Sequence, residues 1–194
     1  MNQRMFTCLD LRSCLNNCGT TGSHNYHEGY LSSARASFPE DAFQFDAPFE
    51  FKEIPFVLFK RQSFDNIVTE GQSIQFPRQR VTNIHLLGTS SDANMADYMY
   101  LMLDGQEVSK QKILLSHFIS EVPFPRNECV IETSCLHTMD GPLTHRSARL
   151  WYDGIELDRP AEINRITFED NPCMHVFGLT LESESTPGGQ VIFT

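Results

Sequence analysis

Apolar and polar positions alternate with a period of two through most of the chain. The pattern is densest over residues 146–181. There Leu150, Tyr152, Ile155 and Leu157 are apolar around an Asp153-Gly154 break, and Ile163, Ile166 and Phe168 follow. Met174, Val176, Gly178 and Thr180 then alternate with His175, Phe177, Leu179 and Leu181. Alternation bounded by Asp, Asn, Pro and Gly predicts three short strands of an all-β domain. The last run is apolar on both faces, as suits a central strand covered on both sides. Further strands are predicted over 5–11, 55–60, 73–77 (stopped by Pro77), 81–88, 97–105, 110–119 and 129–137. The 81–88 and 97–105 runs read as a pair joined by a polar loop, Thr89 to Ala96, and a short helix is the alternative for 110–119. Asp104-Gly105 is a turn signal.

Residues 12–50 break this pattern. They are polar and rich in Gly, Ser and Asn, with aromatics at Tyr26, Tyr30, Phe38, Phe43, Phe45 and Phe49. So long an irregular stretch is uncommon in a compact domain unless it has a task. It is expected to wrap over one face, held by those aromatics. Many short strands at this spacing predict an antiparallel β-sandwich or barrel rather than a parallel α/β sheet. No internal repeat, low-complexity segment or linker divides the chain, which reads as one domain over 1–194, with an N-terminal strand and wrapping loop over 1–50.

Three stretches, taken in order, carry a resemblance. The opening CLDLRSCLNNCG (8–19) has a D-L-x-x-x-x-N-N-x-G form, DNIVTEGQSIQFP (65–77) precedes VTNIHLLGTSSD (81–92), and the closing run contains I-x-L-D, I-x-x-I-T-F and N-P-x-M-H-V-F-G-L-T-L. Together they resemble the galactose-binding-like jelly-roll modules attached to bacterial glycoside hydrolases. The resemblance implies a β-sandwich that binds sugars or polyols. It also implies a structural Ca²⁺ where the N-terminal loop meets the last strand, at positions near Asp10, Asn16, Asn17 and Glu182. Oxygen donors of this kind suit calcium. Asp92, Asn94 and Asp97 form a second acidic loop.

Composition narrows the partners. With 194 residues the chain is long enough to bury a core. A net charge of -10 and a pI near 5.1 argue against nucleic acid and anionic membranes, which need basic patches. Neutral sugars, cationic ligands and divalent metals remain compatible. The start MNQRMFTCLDL lacks the apolar core of an export signal, and no run reaches transmembrane length, so the expectation is a cytoplasmic protein with six reduced cysteines. No nucleotide cofactor is expected, because neither a P-loop nor a dinucleotide fingerprint is present.

The densest polar cluster is SHNYHEGY, Ser23 to Tyr30. His24, His27 and Glu28 are acid/base or metal-ligand types, and Tyr26 and Tyr30 can stack on a ring; the alternative is a solvated loop. Trp151-Tyr152-Asp153 holds the only tryptophan. Neighbouring strand residues face opposite ways, so an inward Tyr152 sends Trp151 outward, either as a ligand platform or beneath the N-terminal segment. His117 and His137 lie near strand ends and can act as bases if a carboxylate such as Asp153 orients them. His85 and His175, inside apolar strands, read as structural. Three functions are therefore carried forward. The first is a sugar- or polyol-binding module. The second is a small stand-alone lyase, cyclase or hydrolase acting on a secondary metabolite or sugar derivative through acid/base residues. The third is a structural subunit of a homodimer.

Overall fold

A computed structural model describes residues 4–184. Its strands, in chain order, are β1 (Arg4–Cys8), β2 (Thr20–Thr21), β3 (Phe38–Pro39), β4 (Pro48–Phe51), β5 (Ile54–Val57), β6 (Ile67–Glu70), β7 (Ser73–Ser90), β8 (Met95–Leu103), β9 (Gln106–Leu115), β10 (Asn127–Glu132), β11 (Leu136–Thr138), β12 (Gly141–Leu143), β13 (Arg149–Phe168) and β14 (Asp170–Glu184). Helix is confined to two single 3₁₀ turns, Tyr26–Glu28 and Glu40–Ala42. Eight strands form one antiparallel sheet in the order β1-β14-β7-β13-β8-β9, with β6 added to β14 and β10 to β13. Among the described residues no helix is long and apolar enough to cross a membrane.

Two strands, β7 and β13, are longer than the turn signals predicted, because breaks in the sequence pattern lie inside continuous strands. β7 runs through Pro77, which lies where its register on β13 shifts between Gln75↔Arg165 and Gln79↔Ile163. A bulge is one of the few sheet positions that tolerates a proline. β13 runs through Asp153-Gly154, where Gly154 lies beneath the ring of Tyr152: a Cβ there would meet the Tyr152 hydroxyl at 2.4 Å. A second shift, between Glu156 and Ala161, brackets Pro160. Such shifts bend strands, and the sheet wraps around a single inner core. The expected pairing of 81–88 with 97–105 is not formed. β13 lies between β7 and β8, and β8 closes instead on β9 through Asp104-Gly105, both with positive φ.

Both faces of the sheet are covered, as the last apolar run anticipated. Ile84, Leu86, Ile155, Val176 and Leu179 face the inner core with Met99, Leu101 and Ile113. Leu87, Leu150, Tyr152 and Phe177 face outward into a second core. Leu31, Phe38 and Phe43 of the N-terminal segment, with Phe56 and Leu58 just after it, supply the other side of that core. Val176 and Leu179 share a face although three residues apart, because a bulge between Val176 and Gly178 shifts the parity of β14. Phe38 and Phe43 each pack against Phe177, at 5.9 and 5.8 Å between ring centroids. With two covered faces, Trp151 and Tyr152 are both buried, 3% and 8% exposed. The premise that only one of them could be core therefore fails.

Candidate functional site

The site grows from the place where the N-terminal segment is fastened to the sheet. Asp65, fully buried, accepts hydrogen bonds from the main-chain N–H of Gly19 (2.8 Å) and Thr20 (2.9 Å), from the Thr20 hydroxyl (2.6 Å) and from the Asn66 amide (2.7 Å). Burial raises its pKa above the ordinary carboxylate value, against the pull of these four donors. Asn17 and Asn66 form a bridge: the main-chain N–H of Asp65 donates to the Asn17 carbonyl (3.0 Å), and that of Asn17 to the Asn66 carbonyl (3.3 Å). Asn16 docks on β6 like an added strand residue. Its carbonyl oxygen accepts from the Val68 N–H (2.8 Å) and its amide donates to the Val68 carbonyl (3.1 Å). Gly19 is required here, since a Cβ would meet the Asn66 amide nitrogen at 2.5 Å. The N-N-x-G motif is thus a polar clamp on Asp65-Asn66.

His175 on β14 enters this clamp from below. It is 2% exposed. Nδ1 lies 3.2 Å from Asn66 Oδ1 and 3.4 Å from Asn17 Nδ2. The shorter contact assigns Nδ1 as the donor to Asn66, which leaves a lone pair on Nε2. Nε2 has no hydrogen-bond partner, although it is sealed from bulk water. Burial depresses the His175 pKa to about 4, against a small opposing effect of Asp92, so the imidazole is neutral at pH 7. Above it opens a cleft of about 450 Å³, within the range of small-molecule sites. Its walls include Asn16, Ser32, Glu70 and Asp92, and the half-exposed ring of Tyr30 forms its rim. Ser32 Oγ is a second buried polar atom without a partner in the same cleft. Cys173 donates its S–H to Asp92 (3.2 Å).

Most of the sequence-predicted site residues lie elsewhere. Tyr30, Asn16 and Asn17 line this cleft. Tyr26 and His137 meet in a second cleft of about 340 Å³, the tyrosine edge-on to the imidazole at 4.7 Å. There His137 Nδ1 is 3.0 Å from the Thr21 hydroxyl, which is 2.7 Å from that of Ser37. His24, His27 and Glu28 are exposed on the loop beside it, and Glu28 accepts only from Asn25 (2.9 Å). His117 has both ring nitrogens engaged: Nε2 donates to the Ser91 carbonyl (2.9 Å) and Nδ1 accepts from the Ile119 N–H (3.3 Å). Asp153, fully buried, forms a bidentate pair with Arg126 (2.5 and 2.8 Å) and caps the Leu114 N–H (2.9 Å), and it orients no imidazole. Trp151 is not an outward platform; its indole N–H donates to the His117 carbonyl (3.1 Å). Tyr152 bonds His85 Nδ1 (2.9 Å), whose Nε2 bonds Glu182 (2.9 Å), a buried relay on the outer face.

The four positions matched to calcium do not converge. Asp10 pairs with Arg12 (2.9 Å), which also holds Asp46 (2.7 Å). Asn16 and Asn17 serve the clamp. Glu182 lies seven residues along β14 from His175, about 20 Å away at the rise of a strand. Among the described residues no three His, Cys, Asp or Glu are placed to hold a metal ion. All six cysteines are unpaired.

His175 is the residue that sequence reasoning missed. A signal was present: a histidine in a strand apolar on both faces must find a partner for each ring nitrogen. Its chain neighbours Met174 and Val176 offer none. The family model described as "AziU2-like beta-sandwich domain" matches residues 7–185, which includes the clamp, the cleft and both cores. A comparison with curated proteins finds no match.

Proposed function

Taking as premise that the chain belongs to the AziU2-like β-sandwich family, we propose that it binds a small polyhydroxylated molecule, a sugar or polyol, in the cleft over His175. The observation that carries this reading is the buried, unpartnered Nε2. An unsatisfied buried acceptor costs about 1–3 kcal/mol. A ligand hydroxyl donating to Nε2 removes that cost, and Ser32 Oγ offers a second such gain. The amides and carboxylates of the walls supply the convergent polar groups a sugar needs, and the Tyr30 rim supplies apolar surface. The resemblance to galactose-binding-like modules points to the same ligand class.

A second reading is supported by one feature, a neutral imidazole oriented by an amide, which is the form of a general base. In it the protein is a small lyase, cyclase or hydrolase acting on a secondary metabolite or sugar derivative. The depressed pKa weighs against it. A base near 4 is about 2.5 units weaker than an ordinary histidine and is poorly matched to work at pH 7. The same depression favours a binding role, because the acceptor stays uncharged across the physiological range.

The test is a thermal-shift and calorimetric titration of the whole chain with glycerol, glucose and galactose. A ligand that binds only the native state raises Tm by mass action. The expected result is a rise with at least one of them that His175→Asn abolishes. Asparagine keeps a donor in the Nδ1 position and removes the Nε2 end of the ring. A panel without response, or a response unchanged in His175→Asn, refutes the proposal.

A further inference from the structure

The charge of the cleft restricts its ligand further than its shape does. We propose that the ligand carries a protonated amine alongside its hydroxyl groups, as an amino sugar or amino polyol does; this rests on the cleft over His175 being the binding site. Among the described residues, the only charged side chains lining it are Glu70 and Asp92, with no lysine or arginine in its walls. Glu70 accepts one hydrogen bond, from the Asn16 amide (3.2 Å), and Asp92 one, from the Cys173 thiol (3.2 Å). Neither forms an ion pair among the described residues, although many other carboxylates on this surface do. Arg35, the nearest arginine in sequence to the rim, lies over the Tyr30 ring at 4.9 Å and donates to the His27 carbonyl (2.6 Å).

The orphaned atoms complete the picture. Nε2 of His175, 2% exposed and unpartnered, offers a lone pair at the floor, and the walls offer carboxylate oxygens. An ammonium group has three donors and no acceptor. An anionic ligand would meet two carboxylates without a counter-charge, in a protein whose net charge is -10. A bare metal ion fits poorly as well, because no three of the His, Cys, Asp and Glu side chains surround one point. The acceptors are spread along the cleft. That suits an elongated organic cation with its ammonium at one carboxylate and a hydroxyl at Nε2.

Isosteric pairs test this directly: serinol against glycerol, and glucosamine against glucose, titrated calorimetrically at pH 7 into the full chain. The variants are Glu70→Gln with Asp92→Asn, both at exposed positions, and His175→Asn, with circular dichroism to show that each is folded. The expected result is that the amine-bearing member of a pair binds about tenfold tighter or more. The preference then disappears in the Glu70→Gln/Asp92→Asn variant. Binding of the neutral member with equal or higher affinity, lost in His175→Asn, overturns the amine inference and leaves the cleft as a polyol site. An amine preference that survives in Glu70→Gln/Asp92→Asn also overturns it, placing the attraction elsewhere on the acidic surface. No binding of either member overturns both the inference and the reading beneath it.

Discussion

His175 links the cleft to stability in a way that can be measured without knowing the ligand. Its pKa falls from an ordinary 6.5 to about 4 because burial disfavours the imidazolium and no partner stabilises it. The folded-state pKa is below the unfolded one, so between pH 6.5 and 4 the unfolded chain holds a proton that the folded chain does not. Stability therefore rises with pH across that window and is lost as pH falls through it. A difference of about 2.5 units at 1.36 kcal/mol each corresponds to about 3 kcal/mol between pH 7 and pH 4. Urea unfolding followed by fluorescence of the single, buried Trp151 reads this out at pH 7, 6, 5 and 4. His85, His117 and His137 are also held below the ordinary value by burial, while Asp65 and Asp153 are raised and act in the opposite sense. All five are present in both wild type and His175→Asn, so the difference between the two curves isolates His175. The wild type is expected to lose about 3 kcal/mol more than His175→Asn between pH 7 and pH 4. Parallel curves would mean that the imidazole ionises as it does in water. The claim of a sealed, unpartnered Nε2 would then be wrong.

Asp153→Ala should destabilise the fold by about 3–5 kcal/mol, since it leaves the Leu114 N–H and the Arg126 guanidinium without their buried acceptor; Asp153→Asn, which keeps an acceptor, should cost less in the same urea titration. Tyr152→Phe removes the partner of His85 Nδ1 and should cost about 1–2 kcal/mol while leaving any binding at the His175 cleft intact, because the relay ends on Glu182, far along β14 from His175. Gly88→Ala would place a Cβ 2.5 Å from the His175 carbonyl oxygen. It should cost about 1–3 kcal/mol and weaken ligand binding by shifting β14, as seen by Tm and titration together.

The fold was largely legible because its signal is local. Period-two alternation survives in β13 and β14, and the doubly apolar run at 174–181 announced a strand covered on both faces. Register was not legible. Pro77 and Asp153-Gly154 look like strand ends in sequence; Pro77 sits instead in a bulge whose position depends on the partner strand, and Asp153-Gly154 runs unbroken along β7. The same non-local dependence hid the chemistry. Asp153 looks like an orienting carboxylate beside aromatic residues, but its neighbour in space is Arg126, across the β10–β13 pairing. His175 looks structural because its chain neighbours are apolar, but it lies beneath two asparagines, about 110 and 158 residues earlier in the chain.

What distinguishes His175 from the other buried histidines is the state of its second nitrogen. His85, also buried, gives one nitrogen to Tyr152 and the other to Glu182; the half-buried His117 gives its two to Ser91 and Ile119. These rings are satisfied, and their burial needs no ligand to account for it. His175 spends Nδ1 on the clamp and leaves Nε2 buried and without a partner at the wall of the cleft. An apolar side chain of similar size would fill the same position in β14 without an orphaned acceptor, and would be neutral or stabilising there. A buried imidazole is thus a cost to the empty protein that a bound donor reverses. The N-N-x-G clamp fixes the ring's orientation, so that the donor meets a preorganised lone pair rather than a mobile one. On this argument the N-terminal segment is long because it has two tasks. Its aromatics seal the outer core, and its asparagines aim one histidine at the space they leave open.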